Sequence, residues 1–285
     1  MSVEFNTYPG FNLRFPLVES PQRMADLVNV FNRYRQIASR RAGIALAQLG
    51  LVVERTVKSH SLEALMVRRL ARIKQAEAEF FFLQIGANDG FSHDPINAFV
   101  SANRVAGIVV EPLPDVFERL CKTYERHPQI RKLNIAIHEE LDRVTLYRPD
   151  PKIIDMSGIA SFNRGRHELT SKRTGIQAED IIEVEVPAIS LAKLLEQEKI
   201  GHLDLLQIDT EGYDMQILAG LDLTVCRPSI IRFEHGVYSG VPLRNELRAA
   251  LFRLYDHGYS IAMERVDALA WLHEDISKRK PNPHS

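Results

Sequence analysis

The chain has 285 residues, 45% of them hydrophobic, a content that suits one large α/β core with a small appendage. Charged residues make up 26% and the formal net charge is -1, which argues against nucleic acid or another polyanion as partner. Cys121 and Cys226 lie far apart with no metal-knuckle spacing, which excludes a disulfide framework and fits a reducing, cytoplasmic setting.

The opening stretch MSVEFNTYPGFNLRF lacks the basic start and apolar run of a signal peptide. No segment approaches the ~20 apolar residues of a membrane span. Residues 1–78 read as helical: Met24, Leu27, Val28, Phe31 and Tyr34, then Leu62, Leu65, Met66, Leu70 and Ile73, recur at helical spacing. Ile44–Val53 reads as a buried helix between them. Arg35, Arg40, Arg41, Arg68, Arg69 and Arg72 mark solvated faces, with an anionic-substrate surface as the alternative. This region is expected to be a lid or a homodimer surface, followed by a main domain over 79–275 and a flexible tail over 276–285.

From Phe80 onward short apolar runs alternate with amphipathic segments. Phe80–Ile85, Gly107–Val110, Leu133–Ile137, Leu203–Ile208 and Ile230–Phe233 read as strands buried on both faces, linked as parallel βαβ units. Asp94-Pro95 fits an N-cap and first helical residue, and Asp115 with Glu118 reads as a capping box. Ser190 caps LAKLLEQEKI, with Gly201 as its stop. After a helix over Leu243–Tyr255, Tyr259–Arg265 and Ala268–Leu272 flank Val266-Asp267 as a closing hairpin. Between Asp142 and Ser190 lie the strand-like Val144–Arg148 and Ile182–Val186, separated by a long polar stretch. Its place after the third strand puts it over the carboxyl ends of the sheet, where α/β folds bind ligands.

QIGANDG ends the first strand in a glycine turn that lets backbone approach a ligand. Asn88 stands where a dinucleotide loop needs its second glycine, which disfavours a pyrophosphate. Glu111 ends the second strand, where a carboxylate accepts both ribose hydroxyls of an adenosine; a capping acid before Pro112 is the plainer reading. Asn134, Ala136 and Ile137 close the third strand beside the adenine position. Asp209 and Glu211 end the fourth strand, and Glu234 and His235 the fifth; paired carboxylates are costly in a core and so face a cleft.

The stretches FFLQIGANDG, GIVVEPLPDVFERL, LNIAI, VPAISLAKLL, LDLLQIDTEGYDMQILAGL and PSIIRFEHG follow one another over roughly residues 80–236. In them the chain resembles the FkbM family of S-adenosylmethionine-dependent O-methyltransferases. The resemblance implies a Rossmann-like class I methyltransferase: an α/β fold with a mostly parallel seven-stranded sheet, a closing antiparallel hairpin and an N-terminal helical extension. It implies S-adenosylmethionine as cofactor, with Gln84, Gly86, Ala87, Asn88, Asp89 and Gly90 along its methionine and ribose. Glu111 takes the ribose hydroxyls, Pro112, Leu113, Asn134 and Ala136 surround the adenine, and Asp209 sits near the sulfonium. Ser157, Gly158 and Ser161 resemble a segment lying over the pocket. Gln84 departs from the acid common at its position, so Gln84 as a neutral acceptor, or Asp89, holds the methionine amino group.

Transfer to a hydroxyl needs a base, for which His235 and Asp209 are candidates, with Glu211 and Glu234 orienting. A divalent metal on Asp209, Glu234 and His235 is a second possibility. The expected acceptor is a hydroxyl of a small-molecule or sugar-containing metabolite, oxygen being favoured because no Asn-Pro-Pro-Tyr-like motif appears. A non-catalytic cofactor-binding scaffold and a nicotinamide dehydrogenase are the alternatives.

Overall fold

The computed structural model describes residues 61–76, 79–154, 157–165, 176–236 and 245–273. In chain order the elements are α1 (Leu62–Ala76), β1 (Phe81–Ile85), α2 (Asn97–Asn103), β2 (Ala106–Val110), α3 (Pro114–Thr123), β3 (Ile130–Leu133) and β4 (Ala136–Ile137). There follow β5 (Arg143–Pro149), β6 (Ile181–Ile189), α4 (Leu191–Gln197), β7 (Leu205–Ile208) and α5 (Asp214–Gly220). The last are β8 (Ile230–Glu234), α6 (Asn245–Asp256), β9 (Tyr259–Glu264) and β10 (Asp267–Leu272).

Alternation along the central strands builds two cores. Leu83, Ile85, Ile108, Val110, Leu206, Ile208, Ile231 and Phe233 pack on one face with residues of α4, α5 and α6. Phe82, Val109, Leu205, Ile230 and Leu269 pack on the other with α1, α2 and Leu120 of α3. The result is a seven-stranded sheet in the order β3-β2-β1-β7-β8-β10-β9, in which β10 alone runs against its neighbours. This is the expected mostly parallel sheet with its antiparallel hairpin. Strand order reverses beside β1, between β2 and β7, so a crevice opens at the carboxyl ends there.

A second sheet, β4-β6-β5, carries the long insertion. β5 and β6 pair antiparallel from Arg143↔Pro187 to Pro149↔Ile181. Val144, Leu146 and Val186 bury against Leu113, Val116 and Ala136. α1 buries Leu62, Met66, Leu70 and Ile73, and Arg69 stacks over Trp271 at 4.0 Å. No described helix is long and apolar enough to cross a membrane.

Several local expectations are corrected. The third strand of the large sheet is Ile130–Leu133; the apolar run after it supplies β4 of the small sheet. The Asp115–Glu118 capping box does not form: Pro114 opens α3, Leu113 is its N-cap, and Asp115 is taken by Arg148. Asp94 does cap backbone, accepting from Ile96 and Asn97 N–H, but the helix begins at Asn97, not at Pro95. Ser190 caps α4 through Lys193 N–H as expected, whereas left-handed Lys199 ends the helix before Gly201. Arg265-Val266, not Val266-Asp267, turns the hairpin, with Arg265 at φ 55°. The helices expected before residue 61, the dimer surface assigned to them and the tail lie outside the described residues.

Candidate active site

The turn after β1 is held by backbone on both sides. Gly86 and Ala87 N–H both donate to Val110 O at 3.0 Å, and Asp209 N–H donates to Ile85 O at 3.0 Å. Gly86 (φ +77°) lies so close to β7 that an added Cβ would run into the Asp209 carbonyl. Asn88 is also left-handed, at φ 51°. Asp89 is fully buried, and its carboxylate accepts from Phe91 N–H (3.0 Å), Ser92 N–H (2.6 Å) and Ser92 Oγ–H (2.8 Å). It therefore shapes the turn. From outside, Asn97 donates to Gly90 O and Thr123 to Asp89 O.

Gln84 is buried beneath this turn. Its amide donates to Asp94 at 3.3 Å, and its Oε1 has no hydrogen-bond partner among the described residues. Glu111 stands at the end of β2, only 6% exposed. One carboxylate oxygen accepts from Asn88 N–H (2.9 Å) and the other from Leu113 N–H (3.0 Å). Burial pushes its pKa up to about 7, against the lowering pull of those two donors and of Arg148. Asn134 braces the segment by donating to the Glu111 and Pro112 carbonyls at 2.8 and 2.9 Å. Its amide hydrogens thus serve the loop rather than an open edge. Leu113 and Ala136 share one apolar cluster beside it.

At the other end of the crevice, carboxylate oxygens of Asp209, Glu211 and Glu234 lie within 4.8 Å of one another. Burial raises the Asp209 pKa well above its ordinary value; Arg232 opposes this, and Asp214, Glu211 and Glu234 add to it. Asp214 braces the group, accepting from Thr210 N–H (3.2 Å), Thr210 Oγ–H (2.7 Å) and Glu234 N–H (3.0 Å). His235 is outside the group: successive residues of a strand point to opposite faces, so His235 parts from Glu234. It is buried, its N–H donates to Val266 O, and burial lowers its pKa. In the place of His235 in the candidate metal set Asp209, Glu234 and His235 stands Glu211, which reaches in from a left-handed φ of 54°.

The segment 157–165 crosses this crevice. A Cβ on Gly158 would lie 3.3 Å from Asn88 Nδ2, and Ser161 Oγ–H donates to Glu211 O at 3.0 Å. Ser157 starts a short 3-10 turn there. Beside it Tyr213 stacks on His138 (5.0 Å, 14°), and Phe162 sets its edge to both, at 4.8 and 5.7 Å.

The model of the methyltransferase FkbM domain matches residues 84–261, well over half of the chain. The chain belongs to that family. It is an S-adenosylmethionine-dependent methyltransferase of the class I fold. No curated protein matches it in sequence. Among solved structures, the methyltransferase FkbM from Methylobacillus flagellatus KT is 10% identical with a TM-score of 0.40, the match covering 68% of this chain and 43% of that one. The O-methyltransferase from Bacillus cereus in complex with SAH is 12% identical, TM-score 0.42, covering 84% and 90%. The human methyltransferase 10 domain containing protein is 12% identical, TM-score 0.43, covering 84% and 97%.

Three residues around the site were not singled out from the sequence: Asp214, Arg232 and Arg148. A charged residue at an inward position of an apolar strand was the available signal for the two arginines. Replacing Asp214 with Ala removes the acceptor of two part-buried N–H groups, those of Thr210 and Glu234, and should cost about 1–3 kcal/mol in chemical denaturation. Gly86→Ala, strained in φ and in space, should cost roughly 3 kcal/mol. An unchanged unfolding midpoint in either variant would contradict the packing described.

Proposed function

We propose that this methyltransferase acts on oxygen, moving a methyl group to a hydroxyl of a small-molecule or sugar-containing metabolite, with Asp209 as general base. The observation that carries the reading is the convergence of Asp209, Glu211 and Glu234 oxygens within 4.8 Å, across the glycine turn from Glu111.

The residues fit the family's cofactor. Gln84 offers a buried acceptor with no hydrogen-bond partner among the described residues, suited to the methionine ammonium. Each Glu111 oxygen holds one backbone donor and keeps a lone pair for a ribose hydroxyl. Leu113 and Ala136 give apolar walls for the adenine, with Pro112 and Asn134 at its edge. When bound, S-adenosylmethionine supplies a methyl carbon activated by its sulfonium. The protein's share is alignment, exclusion of water and removal of one proton. Asp209 takes the hydroxyl proton on its carboxylate, while Glu211 and Glu234 accept hydrogen bonds that fix the acceptor. Ser161 and the rings of His138, Phe162 and Tyr213 wall the crevice on the side of the small sheet.

The same three carboxylates favour a second reading, a divalent cation that lowers the acceptor's pKa; an all-oxygen donor set suits magnesium or calcium. Turnover that survives a chelator supports Asp209 as base, and turnover restored only by added magnesium supports the cation.

Glu111→Gln should weaken cofactor binding at least about tenfold in calorimetry; wild-type affinity would remove Glu111 from the site. Hydroxyl donors favour the ionised carboxylate, so wild-type affinity should be full above the Glu111 value of about 7 and fall as pH drops through it. Asp209→Asn should lower kcat by roughly 10²–10⁴ with cofactor affinity nearly unchanged. Retained turnover would refute the base, and transfer confined to nitrogen acceptors would refute the oxygen reading.

A further inference from the structure

Arg148 is among the largest fully buried side chains of the protein, 2% exposed. It lies on β5, at the inward-facing position that continues Val144 and Leu146. Those two residues pack on Leu113, Val116 and Ala136. One guanidinium nitrogen donates to Asp115 at 2.6 Å, in the first turn of α3. Its Nε and other terminal nitrogen have no hydrogen-bond partner among the described residues.

A buried guanidinium with two idle nitrogens is costly, and a structural role alone is better filled by an apolar side chain. Its partner Asp115 compensates weakly, because that side chain is 47% exposed and solvent screens it. The carboxylate of Glu111, buried and so unscreened, lies just ahead of the same α3 entry in the chain. Around Glu111 the β1 turn contributes Asn88 N–H, the α3 entry Leu113 N–H and the end of β3 the Asn134 amide, all neutral. The charged groups acting on it are Arg148 from β5 and Asp115 from α3.

We propose that Arg148 is a positioning residue of the cofactor site: tethered to Asp115, its buried guanidinium supplies the positive charge that holds Glu111 as an anion for the ribose hydroxyls. This rests on the reading of Glu111 given above. Charge on the small sheet thereby sets the pH range over which the large sheet binds its cofactor.

The test is the affinity for S-adenosylhomocysteine, measured by calorimetry on the full chain from about pH 6 to about pH 9, bracketing the Glu111 value. Arg148→Met should move the midpoint of the profile up by about one pH unit, roughly a fivefold loss near neutrality, with nearly wild-type affinity at the alkaline end. Arg148→Lys should restore most of the wild-type profile. Asp115→Asn should move the midpoint the other way, since it removes an acid and frees the arginine's field. A uniform loss at every pH in Arg148→Met, or an unmoved midpoint, overturns the proposal. If Arg148→Met does not fold, Arg148→Gln decides: an upward shift supports the proposal and an unmoved midpoint overturns it. A flat wild-type profile with full binding by Glu111→Gln would instead overturn the underlying reading of Glu111.

Discussion

The contact between Gly86 and the carbonyl of Asp209 is the constraint on which the rest of the site depends. It joins the turn after β1 to the end of β7 with no side chain between them. The neighbouring hydrogen bonds, Asp209 N–H to Ile85 O and Gly86 N–H to Val110 O, extend the same lock to β2. Three strand ends thus become one rigid rim at the point where strand order reverses. Glu111 and Asp209 stand on either side of that rim, so their separation is fixed by backbone, the least deformable part of the protein.

Below the rim, the face that buries Phe82, Leu205 and Ile230 changes character one layer up. Gln84 lies in register with Gln207, and Gln207 with Arg232. An apolar residue at such a position would contribute roughly 1.5–3 kcal/mol of burial. Polar groups there cost stability unless bonded. Arg232 is bonded to Asp267 at 2.9 Å, and its charge opposes the crowding of acids around Asp209. Asp214 adds a second brace from below, holding Thr210 and Glu234 together. Stability given up in this layer sets the electrostatics of the layer above.

What was legible in the sequence was whatever is local. β1, β2, β7 and β8 are mostly apolar runs because both faces are covered, and Gly86, Glu111, Asp209 and Glu234 were placed at their ends by position alone. β3 was missed because IRKL, at the sheet's edge, carries Arg131 and Lys132, while the apolar LNIAI beyond it lies partly in the small sheet. The Asp115 capping box was locally sound, but Arg148, 33 residues on, claims the same carboxylate. His235 seemed to belong with Glu234 by adjacency, and strand alternation separates them. Lys199 in place of glycine at the end of α4 shows a lysine accepting the strain that Gly201 was expected to relieve.

The stack of His138, Phe162 and Tyr213 draws on three separate stretches: the end of β4, the crossing segment and the entry to α5. Together with the Ser161 hydroxyl it ties the small sheet to the acid loop by side chains, with no strand pairing between the two sheets among the described residues. Side-chain contacts can be exchanged by substitution, whereas a strand register cannot be shifted by one residue without inverting every face. Substitutions in the small sheet and its rings can therefore reshape that side of the crevice while the seven-stranded frame stays as it is.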